Sequence, residues 1–96
     1  MKQTPNGMKR EDKSEKPRYF HYLPPEVLER YGVHMLEGAK KHGSGNFLKG
    51  GYGKENWLDS LYRHLLALKK GQTDEDHAMA ILFNIVGYAW EEHIEE

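Results

Sequence analysis

Asn84 interrupts an otherwise apolar run, residues 78–90, and is the polar side chain of this sequence that most requires a partner. A buried amide without a hydrogen-bonding partner costs about 1–3 kcal/mol, so we expect its side chain to be bonded. His77 lies seven residues earlier and therefore on the same face of a helix. Two interpretations are open: a structural hydrogen bond that fixes helix register, or one side of a ligand site.

Three further polar residues stand earlier in the chain at spacings that let them approach this pair. Asp59 and Arg63 are four residues apart, which permits an ion pair on one helix face, and His64 borders a repeat of leucines. The interior of a helical bundle is a common place for a ligand or metal site. We therefore expect a polar site between two helices, formed by Asp59, Arg63, His64, His77 and Asn84.

A second group of candidates surrounds residues 43–53, here called the glycine loop, which contain five glycines and Lys49. Backbone N–H groups and ammonium groups both bind phosphate oxygens, and Lys40 and Lys41 stand just before this loop. Phe47 and neighbouring aromatic residues can stack on a base, although aromatic residues beside a core more often belong to it. The segment is not a Walker A motif, because Lys54 is followed by an acid and lacks the upstream glycine.

A third group consists of carboxylates that can hold Mg²⁺. Glu26 and Glu29 are three residues apart and would lie on one helix face. A second pair at that spacing is missing, because Glu55 and Asp59 are four residues apart. The sequence therefore predicts at most an incomplete magnesium site, formed by Glu26, Glu29 and Asp59.

Three helices must position these side chains. The first is predicted over residues 25–41, with Gly43 as its stop, and the second over residues 55–70, with leucines at three- and four-residue steps and Gly71 as its stop. Thr73 is the predicted N-cap of the third helix. Because the third helix is apolar on all sides, we expect an all-α bundle of three main helices that is completed by homo-oligomerisation.

Composition limits the classes of function that remain. The chain has 96 residues, no cysteine and a net charge of -1, which excludes disulfides and thiolate metal sites and makes nucleic acid an unexpected partner. No apolar run approaches the length of a membrane span. We expect a polar, flexible tail over residues 1–17, a single helical domain over residues 18–96, and a cytoplasmic location.

From Arg18 onwards the chain contains, in this order, Leu-Pro-Pro-Glu at 23–26, Gly-Ala-Lys-Lys at 38–41, Gly43, Asn46, Leu-Asp at 58–59, Arg-His-Leu at 63–65, His77 and Asn84. With these residues it resembles a family found largely in phages, the N-terminal domain of dATP/dGTP diphosphohydrolases, whose chemistry is associated with MazG-like all-α pyrophosphohydrolases. The resemblance implies a nucleotide-binding helical fold that is often oligomeric, and it adds Asn46 to the ligand-binding candidates. Leu36 departs from the family pattern, where a carboxylate is expected.

Two functions of different classes follow. The first is a protein that binds a phosphate-bearing nucleotide without turnover and without a cofactor, such as a phage protein that sequesters a nucleotide signal of host immunity. The alternative is a Mg²⁺-dependent enzyme that converts a purine dNTP to dNMP and pyrophosphate. A third interpretation, a structural or partner-binding bundle with a polar core, ranks below both.

Overall fold

The computed structural model describes residues 15–95, together with the backbone of two short strands nearer the N-terminus. The strands, β1 (Lys2–Gln3) and β2 (Lys9–Arg10), pair antiparallel. Most of the segment assigned to a polar tail, residues 1–17, lies outside the described residues, so the tail stays a prediction.

The described part of the chain is otherwise helical, and three long helices dominate it, as predicted. The first and second predicted helix ranges, residues 25–41 and 55–70, agree with the structure to within one residue at each end, whereas the third helix begins four residues after Thr73. Gly43 and Gly71 follow two of the helices with φ of 89° and 75°, backbone angles that favour glycine. None of the described helices combines the length and apolarity that a membrane span requires. The helices are α1 (Tyr19–Tyr22), α2 (Pro25–His42), α3 (Lys54–Lys69) and α4 (His77–Ile94), with a 3₁₀ turn at Asn46–Lys49.

The N-terminus of α4 corrects the predicted cap. Asp76, not Thr73, is the N-cap, because its side chain accepts a hydrogen bond from the backbone N–H of Met79 at 3.3 Å. Arg30 of α2 donates two hydrogen bonds to the same carboxylate, at 2.6 and 2.7 Å. These bonds hold the pKa of Asp76 below its usual value. A single acid therefore begins α4 and ties α2 to it.

The tightest packing joins α3 to α4. Trp57 is buried against Gly87, where an added Cβ would lie 2.6 Å from the indole ring. Only glycine allows the helices to approach so closely. The buried side chains of α4 recur every three or four residues and therefore form one face; they are His77, Ala80, Asn84, Gly87 and Glu91, joined by Met79.

One prediction about packing needs correction, and another stays open. The leucine repeat of α3 is not a buried seam, since Leu65 and Leu68 are 38% and 45% exposed. The face that meets α4 is rotated toward Trp57 and His64. The subunit leaves part of α4 uncovered, as expected, because Ile85 is exposed. Homo-oligomerisation, which was inferred from this incomplete cover, stays a prediction.

Candidate functional site

A cleft of about 660 Å³ lies between α2, the glycine loop, α3 and α4. Its volume falls in the range typical of small-molecule sites. Ala39 of α2 forms part of one wall, Trp57 and His64 of α3 the opposite one, and Phe83 and Asn84 of α4 a third. The glycine loop closes the remaining side, so the cleft has a backbone-rich edge and an aromatic interior.

The structure brings about half of the sequence-predicted ligand residues to this cleft. Those that line it are Asn46, Phe47, Lys49, His64 and Asn84. His77 is buried in contact with His64. The others are exposed on helix surfaces and do not line the cleft; they are Lys40, Lys41, Asp59 and Arg63.

The exposed candidates are engaged elsewhere or point away from the packed face. Lys40 pairs with Glu37 on α2, at 3.2 Å. Within residues 15–95, Asp59 and Arg63 form no ion pair with each other, although their spacing permits one. Both are exposed because the face of α3 that meets α4 carries Trp57 and His64 instead.

Asn84 is bonded within its own helix. Its amide Nδ2 donates to the backbone oxygen of Ala80 at 2.8 Å, and the residue is buried while lining the cleft. No donor in the described part of the chain reaches its Oδ1 atom, which is nevertheless not sealed from solvent. The amide oxygen is therefore available to a ligand, and the expected bond to His77 is absent among these residues.

A cluster of histidines and acids lies at one end of the cleft. The Nδ1 atoms of His64 and His77 are 2.9 Å apart, and His77 Nε2 lies 2.8 Å from an Asp74 oxygen. The Glu75 carboxylate is 3.8 Å from His64 Nδ1. Burial lowers the pKa of His64, against the opposing charge of Glu75, and the bond from His77 lowers the pKa of Asp74.

Glu91 is the principal residue that sequence reasoning missed. It is 2% exposed, and its carboxyl group accepts hydrogen bonds from the Gly53 backbone N–H at 3.1 Å and from Trp57 Nε1 at 2.9 Å. It thereby fixes the end of the glycine loop and the orientation of the buried indole. A signal was present: the seven-residue step from His77 to Asn84 leads next to Glu91.

Aromatic side chains form a continuous wall beside this carboxyl group. Trp57 meets Tyr52 and Phe83 edge to face, with ring centroids 4.7 and 5.4 Å apart. Phe83 meets Phe47 of the glycine loop at 5.5 Å in the same manner. Trp90 adds a second hold on the loop, since its indole N–H donates to the Leu48 backbone oxygen at 3.0 Å.

The carboxylates predicted to hold Mg²⁺ do not meet. Glu26, Glu29 and Asp59 are exposed and do not line the cleft, because the first two stand on the outer surface of α2 and the third on the outer surface of α3. Among the described residues, the group of His, Asp and Glu atoms close enough to share one ion is a different one, formed by His64, Glu75 and His77. His34 of α2 also lines the cleft, although it was not among the candidates.

Comparison with known proteins supports the resemblance drawn from the motifs. No curated protein and no solved structure matches the chain. One family pattern does match, that of the dATP/dGTP diphosphohydrolase N-terminal domain, and it spans residues 6–96. A match over nearly the entire chain settles the question of family: the protein belongs to the dATP/dGTP diphosphohydrolase N-terminal family.

Proposed function

We propose that the protein binds a purine nucleoside phosphate in the cleft and does not hydrolyse it. The observation that carries this proposal is the pairing of an aromatic wall with a glycine loop across one cavity. A nucleotide has the same two-part chemistry, an aromatic base and an anionic phosphate. The family to which the chain belongs is named for dATP and dGTP, which supports a purine.

The glycine loop is the phosphate-binding side of the proposal. Lys49 lines the cleft and brings an ammonium group to it. Within the part of the chain that the structure describes, no acceptor is found for the backbone N–H groups of Ser44, Gly45, Gly51 and Tyr52. Unpaired N–H groups at glycines with positive φ, beside a lysine, suit an anion.

The aromatic wall is the base-binding side. Phe47, Trp57 and Phe83 give the base apolar and π contacts, and such stacking contributes about 1–3 kcal/mol per base. The free Oδ1 of Asn84 accepts a hydrogen bond from an amino or ring N–H group of a purine. The aromatic side chains and Asn84 therefore suit the base, and the glycine loop with Lys49 suits the phosphate.

The position of the carboxylates favours binding over turnover. Phosphoryl chemistry with Mg²⁺ needs carboxylates at the phosphate to hold the ion, and Glu26, Glu29 and Asp59 are exposed outside the cleft. A protein that sequesters a nucleotide needs no such group. We place this role in the cytoplasm of a phage-infected cell, where the sequestered nucleotide would be a signal of host immunity.

The family description favours one competing function, hydrolysis of a purine dNTP to dNMP and pyrophosphate with Mg²⁺. The test incubates the protein with a panel of linear and cyclic purine nucleotides, with and without Mg²⁺ or Mn²⁺, followed by chromatography. We expect one ligand to be depleted and then recovered intact after heat denaturation. A product that accumulates with time replaces the binding proposal with the enzyme.

Substitutions of two lysines, one inside the cleft and one outside it, test where the phosphate binds. Lys49→Ala removes a cation from the cleft, and Lys40→Ala removes one from the outer surface of α2. We expect the first to weaken binding about tenfold, since charge-assisted bonds contribute about 1.5–3 kcal/mol, and the second to leave affinity unchanged. Equal losses in both variants contradict this placement of the phosphate.

We also infer that copies of the chain associate in solution. Val33 and Leu36 of α2 and Ile85 of α4 are exposed apolar side chains, although they lie in long helices of a small domain. Light scattering is expected to give a multiple of the 11.2 kDa chain mass. A monomer at micromolar concentration contradicts this inference.

A further inference from the structure

We propose that His64, Glu75 and His77 form a binding site for a divalent transition-metal ion of the Zn²⁺ class, at the end of the nucleotide cleft. The site is separate from the carboxylates that the sequence suggested for Mg²⁺. All three proposed ligands are side chains of this protein, so metal binding can be tested without a nucleotide.

The donor atoms are already close to the spacing that such an ion requires. Zn²⁺ bonds to nitrogen and oxygen are about 2.0–2.2 Å long, so two ligand atoms of a tetrahedral site stand about 3.3 Å apart. The two Nδ1 atoms are 2.9 Å apart, and Glu75 Oε1 is 3.8 Å from His64 Nδ1. The ligand atoms of the three residues all lie within 4.8 Å of one another, and Glu75 is exposed enough to move closer.

Asp74 orients the buried member of this set. Its carboxylate accepts the Nε2–H of His77, so the lone pair of the His77 imidazole lies on Nδ1, the atom that faces His64. Histidines that bind metals commonly donate their other N–H to a carboxylate, which fixes the tautomer and the ring plane. The Asp74–His77 pair has that arrangement.

Metal binding requires the proton between the His64 and His77 rings to move, and a second nitrogen of His64 can take it. With Nε2 of His77 protonated, Nδ1 of His64 carries the hydrogen that bonds the two rings. Metal binding moves the His64 proton from Nδ1 to Nε2, which leaves both Nδ1 lone pairs for the ion. His64 stays neutral throughout, so this change of tautomer releases no net proton.

The donor set selects the class of ion. Imidazole nitrogens suit Zn²⁺, Co²⁺, Ni²⁺ and Cu²⁺, whereas Mg²⁺ and Ca²⁺ prefer oxygen ligands. Three protein ligands leave a fourth position open on a tetrahedral ion. His64 and Glu75 line the cleft, so that position is accessible to a water molecule or to an anionic ligand.

The test uses the full chain without a histidine tag, first treated with a chelator and then titrated with Zn²⁺ by calorimetry and with Co²⁺ by visible absorption. We expect one ion per chain, a tetrahedral Co²⁺ spectrum, a higher melting temperature with Zn²⁺, and no binding of Mg²⁺. His64→Ala and Glu75→Gln are expected to lower the affinity at least tenfold. His42→Ala is the matched control, because His42 lines the same cleft outside the cluster.

Asp74→Asn provides a second measurement that does not depend on removing a ligand. Because Asp74 is exposed, the variant is expected to fold, and loss of its charge should weaken Zn²⁺ binding about 10–100-fold. Circular dichroism checks that each variant remains helical. Absence of Zn²⁺ binding by the wild-type chain, or equal affinity of the wild type and folded His64→Ala, overturns the proposal.

Discussion

Helices α2 and α4 have the same length, 18 residues, but contribute to the protein in different ways. Six residues of α4 are buried, whereas no residue of α2 is. The buried face of α4 packs on α3 and includes Asn84, which lines the cleft, and His77 and Glu91, which hold residues at its edge. By contrast, α2 supplies one wall of that cleft and reaches α4 through the Arg30–Asp76 ion pair. The α3–α4 pair is therefore the scaffold, and α2 is attached to it.

The first test of this difference removes the buried carboxyl group of the scaffold. Glu91→Ala leaves two donors without an acceptor, the buried indole N–H of Trp57 and the half-buried backbone N–H of Gly53. At about 1–3 kcal/mol for each donor, we expect the free energy of unfolding to fall by about 2–6 kcal/mol. Chemical denaturation measures it, with Glu92→Ala on the exposed side of α4 as the control. Similar losses in the two variants contradict the scaffold role.

A smaller effect is expected from filling the closest helix contact. In Gly87→Ala the new methyl group would stand 2.6 Å from the Trp57 ring, so the ring or the helix must shift. Such overpacking typically costs about 1–3 kcal/mol. A lower denaturation midpoint, with a changed tryptophan emission spectrum, is the expected result. An unchanged midpoint means that α3 and α4 are not as close as described.

The attachment of α2 is tested at Asp76. Asp76→Ala removes the N-cap of α4 and the partner of Arg30 together, for an expected loss of about 1–2 kcal/mol. Arg30→Ala removes the ion pair alone and is expected to cost less than Asp76→Ala does, because the Arg30 side chain is largely exposed. If thermal melts show equal losses for the two variants, the cap contributes little.

The smallest predicted effect has the opposite sign and lies in α2. Nothing stands within 4 Å of a Cβ added at Gly32, so Gly32→Ala is expected to raise stability by about 0.5–1 kcal/mol. The comparison with Gly87→Ala is direct, since both glycines are helical. Destabilisation by Gly32→Ala, measured in denaturant, would indicate that a second subunit packs closely on this face.

The helices were predictable because their signals are local. Leucine spacing, Gly43 and Gly71 set α2 and α3 to within one residue. The buried face of each helix was less predictable, because it depends on which residues of the neighbouring helix pack against it. Leu65 and Leu68 keep helical spacing yet remain exposed, since Gly87 admits Trp57 and rotates the contact away from them.

The candidate site was predicted in part for the same reason. Asn84 and His64 were found because each interrupts or borders an apolar pattern. Glu91 was missed because it begins a polar run at the end of α4, where acids ordinarily face solvent. Glu91 instead accepts hydrogen bonds from the N–H groups of Gly53, at the end of the glycine loop, and Trp57, on α3. The seven-residue step from His77 and Asn84 places Glu91 on the buried face of α4, but no spacing identifies the donors that it meets there.

The adjacent residues Trp90 and Glu91 hold the glycine loop at two points, Leu48 and Gly53. The loop is thereby divided into short spans whose conformational entropy is already reduced before any ligand arrives. Binding to a segment that is fixed in advance loses less entropy than binding to a free one. For a glycine-rich chain, which otherwise has the most freedom to lose, two neighbouring side chains on α4 thus set much of the entropic cost of recognition.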